Sequence, residues 1–187
     1  ARIAAATRAQ ALFQDTYTTI SKRQIQDLAK VVNPLFARMH ANRVYDRINL
    51  GEDSEILHWL AHAGDEQIDP GKDFSQGQRQ DLALALFLAR ARSLGGTFFL
   101  DEPVAHLDDL NRVGLLDILR TTVLEESQSV NLVITTSSRA LARHLIEKFA
   151  NIGLVETPEG RVRPLSVIEL DGNSRSGVQL SNIYPLV

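Results

Sequence analysis

The chain has 187 residues, 44% hydrophobic and 23% charged. That suits one good core, or one large lobe of something bigger, and excludes a disordered or low-complexity polypeptide. The formal net charge of −3 supplies no global pull toward nucleic acid or an anionic membrane, though it leaves room for a local basic patch. With no cysteine, disulfide frameworks and thiolate metal sites are excluded, in keeping with a reducing compartment. The longest apolar run, Leu82 to Ala89, is far short of the roughly 20 residues that span a bilayer, and no leader pattern opens the chain. A cytoplasmic location is expected. The abrupt start at Ala1, in helical sequence, reads as a cut from a longer protein.

From about Ala4 to Val32 the sequence is helical, without Gly or Pro. Phe13, Tyr17 and Ile20, then Ile25, Leu28 and Val32, form a narrow apolar stripe with one skip. Such a stripe packs on a domain or forms one strand of a coiled coil, and the skip has the form of a stutter. Asn33-Pro34 is expected to end this helix, because the residue before proline is pushed out of the α region. Leu35 to His40 reads as a short helix. Arg43 to Leu50 alternates as a half-buried strand ending at Gly51. Glu55 to Leu60 fits a strand or a helical turn equally. Ala63 to Lys72, with Gly64, Pro70 and Gly71, is expected to be loop.

Ser75 is placed to N-cap the next helix, with Gln78 in the capping-box position. This helix runs to about Arg92 and is apolar nearly all round between Leu82 and Ala89, so it is expected to be buried on most faces. Gly95-Gly96 stops it. Thr97 to Leu100 reads as a strand of a parallel sheet covered on both faces. Leu110 to about Glu126 is helical, with Val113, Leu116, Leu119 and Val123 on one stripe. Leu132-Val133-Ile134 is a second buried strand, and Arg139 to Ala150 a helix with Leu141, Leu145 and Phe149 in register. Short β segments follow at Ile152–Glu156, Val167–Leu170 and Gly177–Leu180. The order is that of an α/β protein with parallel neighbours.

The chemistry is expected at the carboxyl end of the Thr97–Leu100 strand, where ligands bind in open α/β sheets. Asp101 and Glu102 leave that end in different directions and suit different tasks. One carboxylate serves a hydrated Mg²⁺, and the other orients or deprotonates a water attacking a phosphate. A plain polar turn after a buried strand explains the same four residues. Ser75, Gly77 and the first amides of the next helix make an anion site, with Gln78 and Arg79 as added donors. An ordinary capped helix explains that segment equally well. The five histidines show no metal-ligand spacing and read as packing or surface residues.

The ordered combination is more specific. Ser75-Gln76-Gly77-Gln78-Arg79, a helix, an apolar strand ending in Asp101-Glu102-Pro103, then Ala105-His106-Leu107-Asp108 resembles the ATP-binding-cassette ATPases over roughly Asp73 to Arg143. The three segments are similar to the family's signature motif, Walker B strand and D-loop. Asn33-Pro34-Leu35-Phe36, after a long helix and before a strand, is similar to the re-entry of the chain into the head of SMC-like ATPases, the chromosome-maintenance and double-strand-break-repair members. The resemblance implies an α/β fold, the C-terminal lobe of a P-loop ATPase head. Residues 1–33 are then the base of a coiled coil, and residues 34–187 the head lobe.

By that resemblance the cofactors are ATP and Mg²⁺. Asp101 supports the metal and Glu102 is the hydrolytic base. Ser75, Gln76, Gly77, Gln78 and Arg79 face ATP held on a second head, and Asp108 couples the two sites. The implied partners are an N-terminal Walker A lobe, a second head and DNA, without a membrane; in a bacterium the location would be the nucleoid. Two departures stand out: Gln76 replaces a signature glycine, and Thr136 stands where the switch histidine is usual. No Gly-x-x-x-x-Gly-Lys-Ser/Thr occurs, so ATP binding is expected to need the Walker A lobe. A scaffold with weak hydrolysis, a transporter subunit and an unrelated α/β domain are the competing readings. Arg139, Arg143 and Lys148, with Arg161 and Arg163, form either a basic face for DNA or ordinary solvated charge.

Overall fold

In the computed structural model, residues 2–40, 44–50, 59–105, 107–124, 130–157 and 160–184 are described. They form two compact units, one of residues 1–90 with 106–111 and one of 91–105 with 112–187.

The first unit begins with α1 (Arg2–Met39), a single helix of 38 residues. Ile3, Leu12, Phe13, Tyr17 and Ile20 are exposed, and Phe13 stacks on Tyr17 at 6.4 Å between ring centroids. Burial begins at Ala29 and continues at Val32, Leu35, Phe36, Met39 and His40, which is helical spacing. The expected break at Asn33-Pro34 does not occur, and the proposed short helix at 35–40 is the continuation of α1. Pro34 costs one backbone hydrogen bond. Burial of the turn beyond it offsets that loss, and Asn33 is held in place because its Oδ1 accepts the Ile48 N–H at 2.5 Å.

Three antiparallel strands follow, β1 (Arg47–Leu50), β2 (Trp59–Ala63) and β3 (Glu66–Ile68), in that spatial order. The first strand starts later than expected, and Arg43 and residues 55–58 lie outside the described residues. The Ala63–Lys72 segment is not simply loop. Gly64, at φ +62, supplies the left-handed residue that turns β2 into β3. Asp69 then caps the short α2 (Pro70–Asp73), accepting the Gly71 N–H at 2.9 Å, with Pro70 at the first helical position. Helix α3 (Gln76–Leu94) buries Leu82, Leu84, Ala85, Leu88, Ala89 and Ala91, though Ala83 is exposed.

The second unit contains β4 (Gly96–Asp101) and β5 (Val130–Thr135), paired in parallel with Asp101 opposite Thr135. The parallel pairing was expected and is found; coverage on both faces was also expected and is not found. Phe99 is 72% exposed and Val133 is also open, because the two-stranded sheet has nothing on that face among the described residues. Helix α4 (Asp109–Leu124) buries Leu115, Leu116, Ile118, Leu119 and Thr122, whereas Val113 faces out. The buried stripe is therefore rotated from the one predicted. Helix α5 (Arg139–Phe149) buries Leu141, Leu145 and Phe149 as expected. Two hairpins end the chain. One is β6 (Val155–Thr157) with β7 (Gly160–Val162), the latter not foreseen, and the other is β8 (Val167–Asn173) with β9 (Gly177–Tyr184).

Candidate active site

The parallel register of β4 and β5 ends both strands together and puts hydroxyl donors beside carboxylates. The Thr135 hydroxyl donates to Asp101 Oδ1 across the pair. One residue on, the Glu102 N–H donates to the Thr135 carbonyl at 2.9 Å, so the chain stays tethered to β5 as it leaves the sheet. Glu102 Oε1 accepts the Ser137 N–H at 2.5 Å, and Oε2 accepts the Thr136 hydroxyl at 3.1 Å. Hydrogen bonds from Ser137, its hydroxyl first and then its amide, and from Thr136 hold the Glu102 carboxyl below the usual glutamate range. Glu102 has φ +44, the left-handed region that costs an L-residue about 1–2 kcal/mol. Strain at a non-glycine residue bearing a proposed catalytic carboxylate is what functional sites characteristically hold.

Thr136 also accepts the Ser138 N–H at 3.1 Å, and Ser138 in turn caps α5 by accepting the Leu141 N–H at 3.2 Å. The whole run Thr135-Thr136-Ser137-Ser138 is thus occupied in fixing carboxylates or a helix start. Sequence reading singled out only Thr136. A row of four hydroxyl residues directly after an apolar strand was the available signal.

In the first unit, Ser75 and Gln78 form a reciprocal capping box: the Ser75 N–H donates to Gln78 Oε1 at 2.8 Å, and the Gln78 N–H to Ser75 Oγ at 3.3 Å. Arg79 is folded back, its Nε donating to the Phe74 carbonyl at 2.9 Å. Gln76 and Gly77 occupy the first turn of α3. Phe74 is buried and lies against Phe36 and Tyr45, with ring centroids 5.9 and 4.6 Å apart. The Ser75 turn is therefore anchored from behind by an aromatic cluster while its polar face stays exposed. Asp108 Oδ1 accepts the Asn111 N–H at 2.8 Å, which caps α4.

No family model matches the chain. A stretch of 52 residues, 26% of the chain, is 48% identical to the DNA double-strand break repair Rad50 ATPase of Sulfurisphaera tokodaii and spans 6% of that protein. Among solved structures, one concerned with ATP-driven dimerization and DNA-stimulated activation of SMC ATPases superposes with a TM-score of 0.61 at 17% identity, over 88% of this chain and 89% of the other. The Smc head of Pyrococcus yayanosii, with a coiled coil and joint, gives 0.59 at 17% identity, over 90% of this chain and 29% of its own. An Smc head bound to the C-winged helix domain of ScpA gives 0.58 at 19%, over 85% and 43%. The fold is that of an SMC-like ABC ATPase head region.

In this fold, α1 is one long helix that is exposed over most of its length before Ala29. Asp101, Glu102 and Thr136 come together in one unit. Ser75, Gln76, Gly77, Gln78, Arg79 and Asp108 belong to the other. His106 of the D-loop segment lies outside the described residues. Of the suggested basic face, Arg139 pairs with Glu169 at 3.6 Å, Lys148 with Asp117 at 2.5 Å and Arg161 with Glu156 at 2.8 Å. No helix among the described residues is long and apolar enough to cross a membrane.

Sequence reading gave no site role to the buried polar residues His40, Asp81 and Asn111. A carboxylate directly before the apolar run of α3 was the signal.

Proposed function

We propose that this chain is the C-terminal part of an SMC-like head that binds and hydrolyses ATP at a head–head interface, completed by a Walker A lobe. The observation that carries the reading is the pair of carboxylates at the end of β4, fixed by donors from the end of β5, in a fold of this family. Glu102 would serve as the base that orients and deprotonates the attacking water. Asp101, exposed at the strand end, suits a magnesium ion that keeps most of its waters. Among the described residues no three His, Asp or Glu side chains converge, which fits a metal shared with nucleotide rather than one caged by protein. Bound Mg²⁺ would neutralise charge on the phosphates. Ser75, Gln76, Gly77, Gln78 and Arg79 would present the exposed start of α3 to ATP on a second head, using helix N–H groups suited to anions. Asp108 would link the two sites.

Slow turnover belongs to this reading. Glu102 is held below the usual glutamate range, which weakens it as a base, and Thr136 supplies a hydrogen bond where a histidine would supply charge. A scaffold that uses ATP to join heads and hydrolyses it reluctantly is the alternative that this geometry favours. DNA as a partner is proposed on the strength of the relatives' names and the fold.

The deciding experiment uses the full-length protein with its Walker A lobe. Glu102→Gln should retain ATP binding, accumulate a dimer in ATP and lose hydrolysis by roughly 100-fold or more. Unchanged turnover would remove Glu102 from the mechanism. Near-background turnover in the parent, with intact ATP-dependent dimerisation, would select the scaffold. DNA binding by the same protein should fall steeply with salt.

A further inference from the structure

The Asp81 carboxylate is fully buried, at 0% exposure, in the middle of the α3 segment that follows the Ser75 turn. Its Oδ2 accepts Asn111 Nδ2 at 2.8 Å, and the backbone N–H of Asn111 donates to Asp108 Oδ1, also at 2.8 Å. His40, at the end of α1 and 2% exposed, places Nδ1 at 3.8 Å from the same Oδ2, within ion-pair range but beyond a hydrogen bond. Neither His40 ring nitrogen and neither lone pair of Asp81 Oδ1 finds a hydrogen-bond partner among the described residues.

A buried charge this sparsely satisfied is a poor way to stabilise a core; an apolar side chain of similar size would do better. What the carboxylate does provide is direction. It ties the first turn of α4 to α3 at a fixed register, beside His40 at the end of α1. The aromatic stack Phe36–His40–Tyr45–Phe74 joins the end of α1 to the residue before Ser75.

We propose that Asp81 is a positioning residue for Asp108, acting through Asn111, and that His40 makes this tether responsive to helix α1. The inference rests on the role given above to Asp108 and goes beyond it, by naming the buried groups that hold that residue in place. Movement of the coiled-coil base would shift His40 against Asp81, and through Asn111 the D-loop. No bond is made or broken; the effect is geometric.

The test compares Asp81→Ala, Asn111→Ala, their double variant and Asp81→Asn in the full-length protein. Asp81→Asn keeps an acceptor for Asn111. Hydrogen exchange of the 107–111 amides should quicken about tenfold in both alanine variants and no further in the double, while Asp81→Asn stays near the parent. The amides of α5 should not change. Turnover should fall roughly 10- to 100-fold in kcat, with KM for ATP within about twofold, and Asp81→Asn should restore it. His40→Leu should leave exchange at 107–111 slow yet remove its dependence on coiled-coil engagement. Independent, additive effects of Asp81→Ala and Asn111→Ala on exchange would overturn the tether. Quickened exchange with unchanged kcat, alongside an inactive Glu102→Gln, would overturn its positioning role. If Glu102→Gln remains active, the ATPase reading itself is what fails, and exchange alone still decides the tether.

Discussion

Glu102 Oε1 accepts the Ser137 amide N–H at 2.5 Å, across 35 positions of sequence, and this contact joins the end of β4 to the start of α5. It does two things at once. It holds a strained residue in its left-handed conformation, and it stabilises the ionised carboxylate.

The ionisation has a direction that kinetics can read. Because the folded pKa of Glu102 is lowered, its contribution to stability is present above the unfolded carboxylate range and is lost as pH falls through the folded value. Removing a donor raises that value. Ser137→Ala should move the acidic limb of the pH profile of kcat/KM to higher pH, and Thr136→Val should move it the same way by less. A profile that ignores both substitutions would mean that Glu102 does not titrate in the reaction.

The backbone strain can be isolated from the carboxylate by comparing two variants that both lack it. Glycine accepts φ +44 without a steric cost and alanine does not. Glu102→Gly should therefore be about 1 kcal/mol more stable to urea than Glu102→Ala, the reverse of their usual order in regular structure.

At Ser75 the capping role and the proposed phosphate role make opposite demands on charge. Ser75→Asp keeps an acceptor for the Gln78 N–H and should hold stability within about 0.5 kcal/mol of the parent, whereas Ser75→Ala should cost about 1 kcal/mol. Yet the added negative charge should abolish ATP-dependent dimerisation of the complete head, measured by light scattering. Retained dimerisation would leave Ser75 as a helix cap alone.

Asp81 titrates in the other sense. Burial first of all, with a smaller push from Asp108, raises its pKa against the opposing pull of His40. A raised folded pKa favours the native state below the unfolded carboxylate range and loses that contribution as pH rises through the folded value. Asp81→Asn, which stays neutral, should thus be more stable than the parent at pH 7. The difference should close as pH is lowered, in paired denaturation curves.

The packing anchor behind the Ser75 turn should be costly to remove. Phe74→Ala empties the space between Phe36 and Tyr45 and should destabilise the protein by about 3–5 kcal/mol. Phe99→Ala, on an exposed face of the same chain, should change stability little.

The residues by themselves determined the helix–strand order from α3 to α5, the capped start of α3, the glycine stop after it, the parallel pairing of β4 with β5 and the inward face of α5. These depend on periodicity, caps and turn residues, which act over a few positions. They also carried the resemblance that led to this fold, because three short motifs stand in order along the chain.

Tertiary structure alone decided the rest. Local preference put a break at Pro34, but burial of Val32, Leu35, Phe36 and Met39 outweighs one lost backbone bond. The inward stripe of α4 is rotated from the expected one, keeping Leu116 and Leu119 but turning Val113 outward, because several apolar sets fit its sequence and only packing selects one. The donors Ser137 and Thr135, and the His40–Asp81–Asn111 cluster, join residues 30 or more positions apart for each contact to a carboxylate beyond its own segment. No local pattern encodes such a meeting; it exists only once the strands and helices have taken their places.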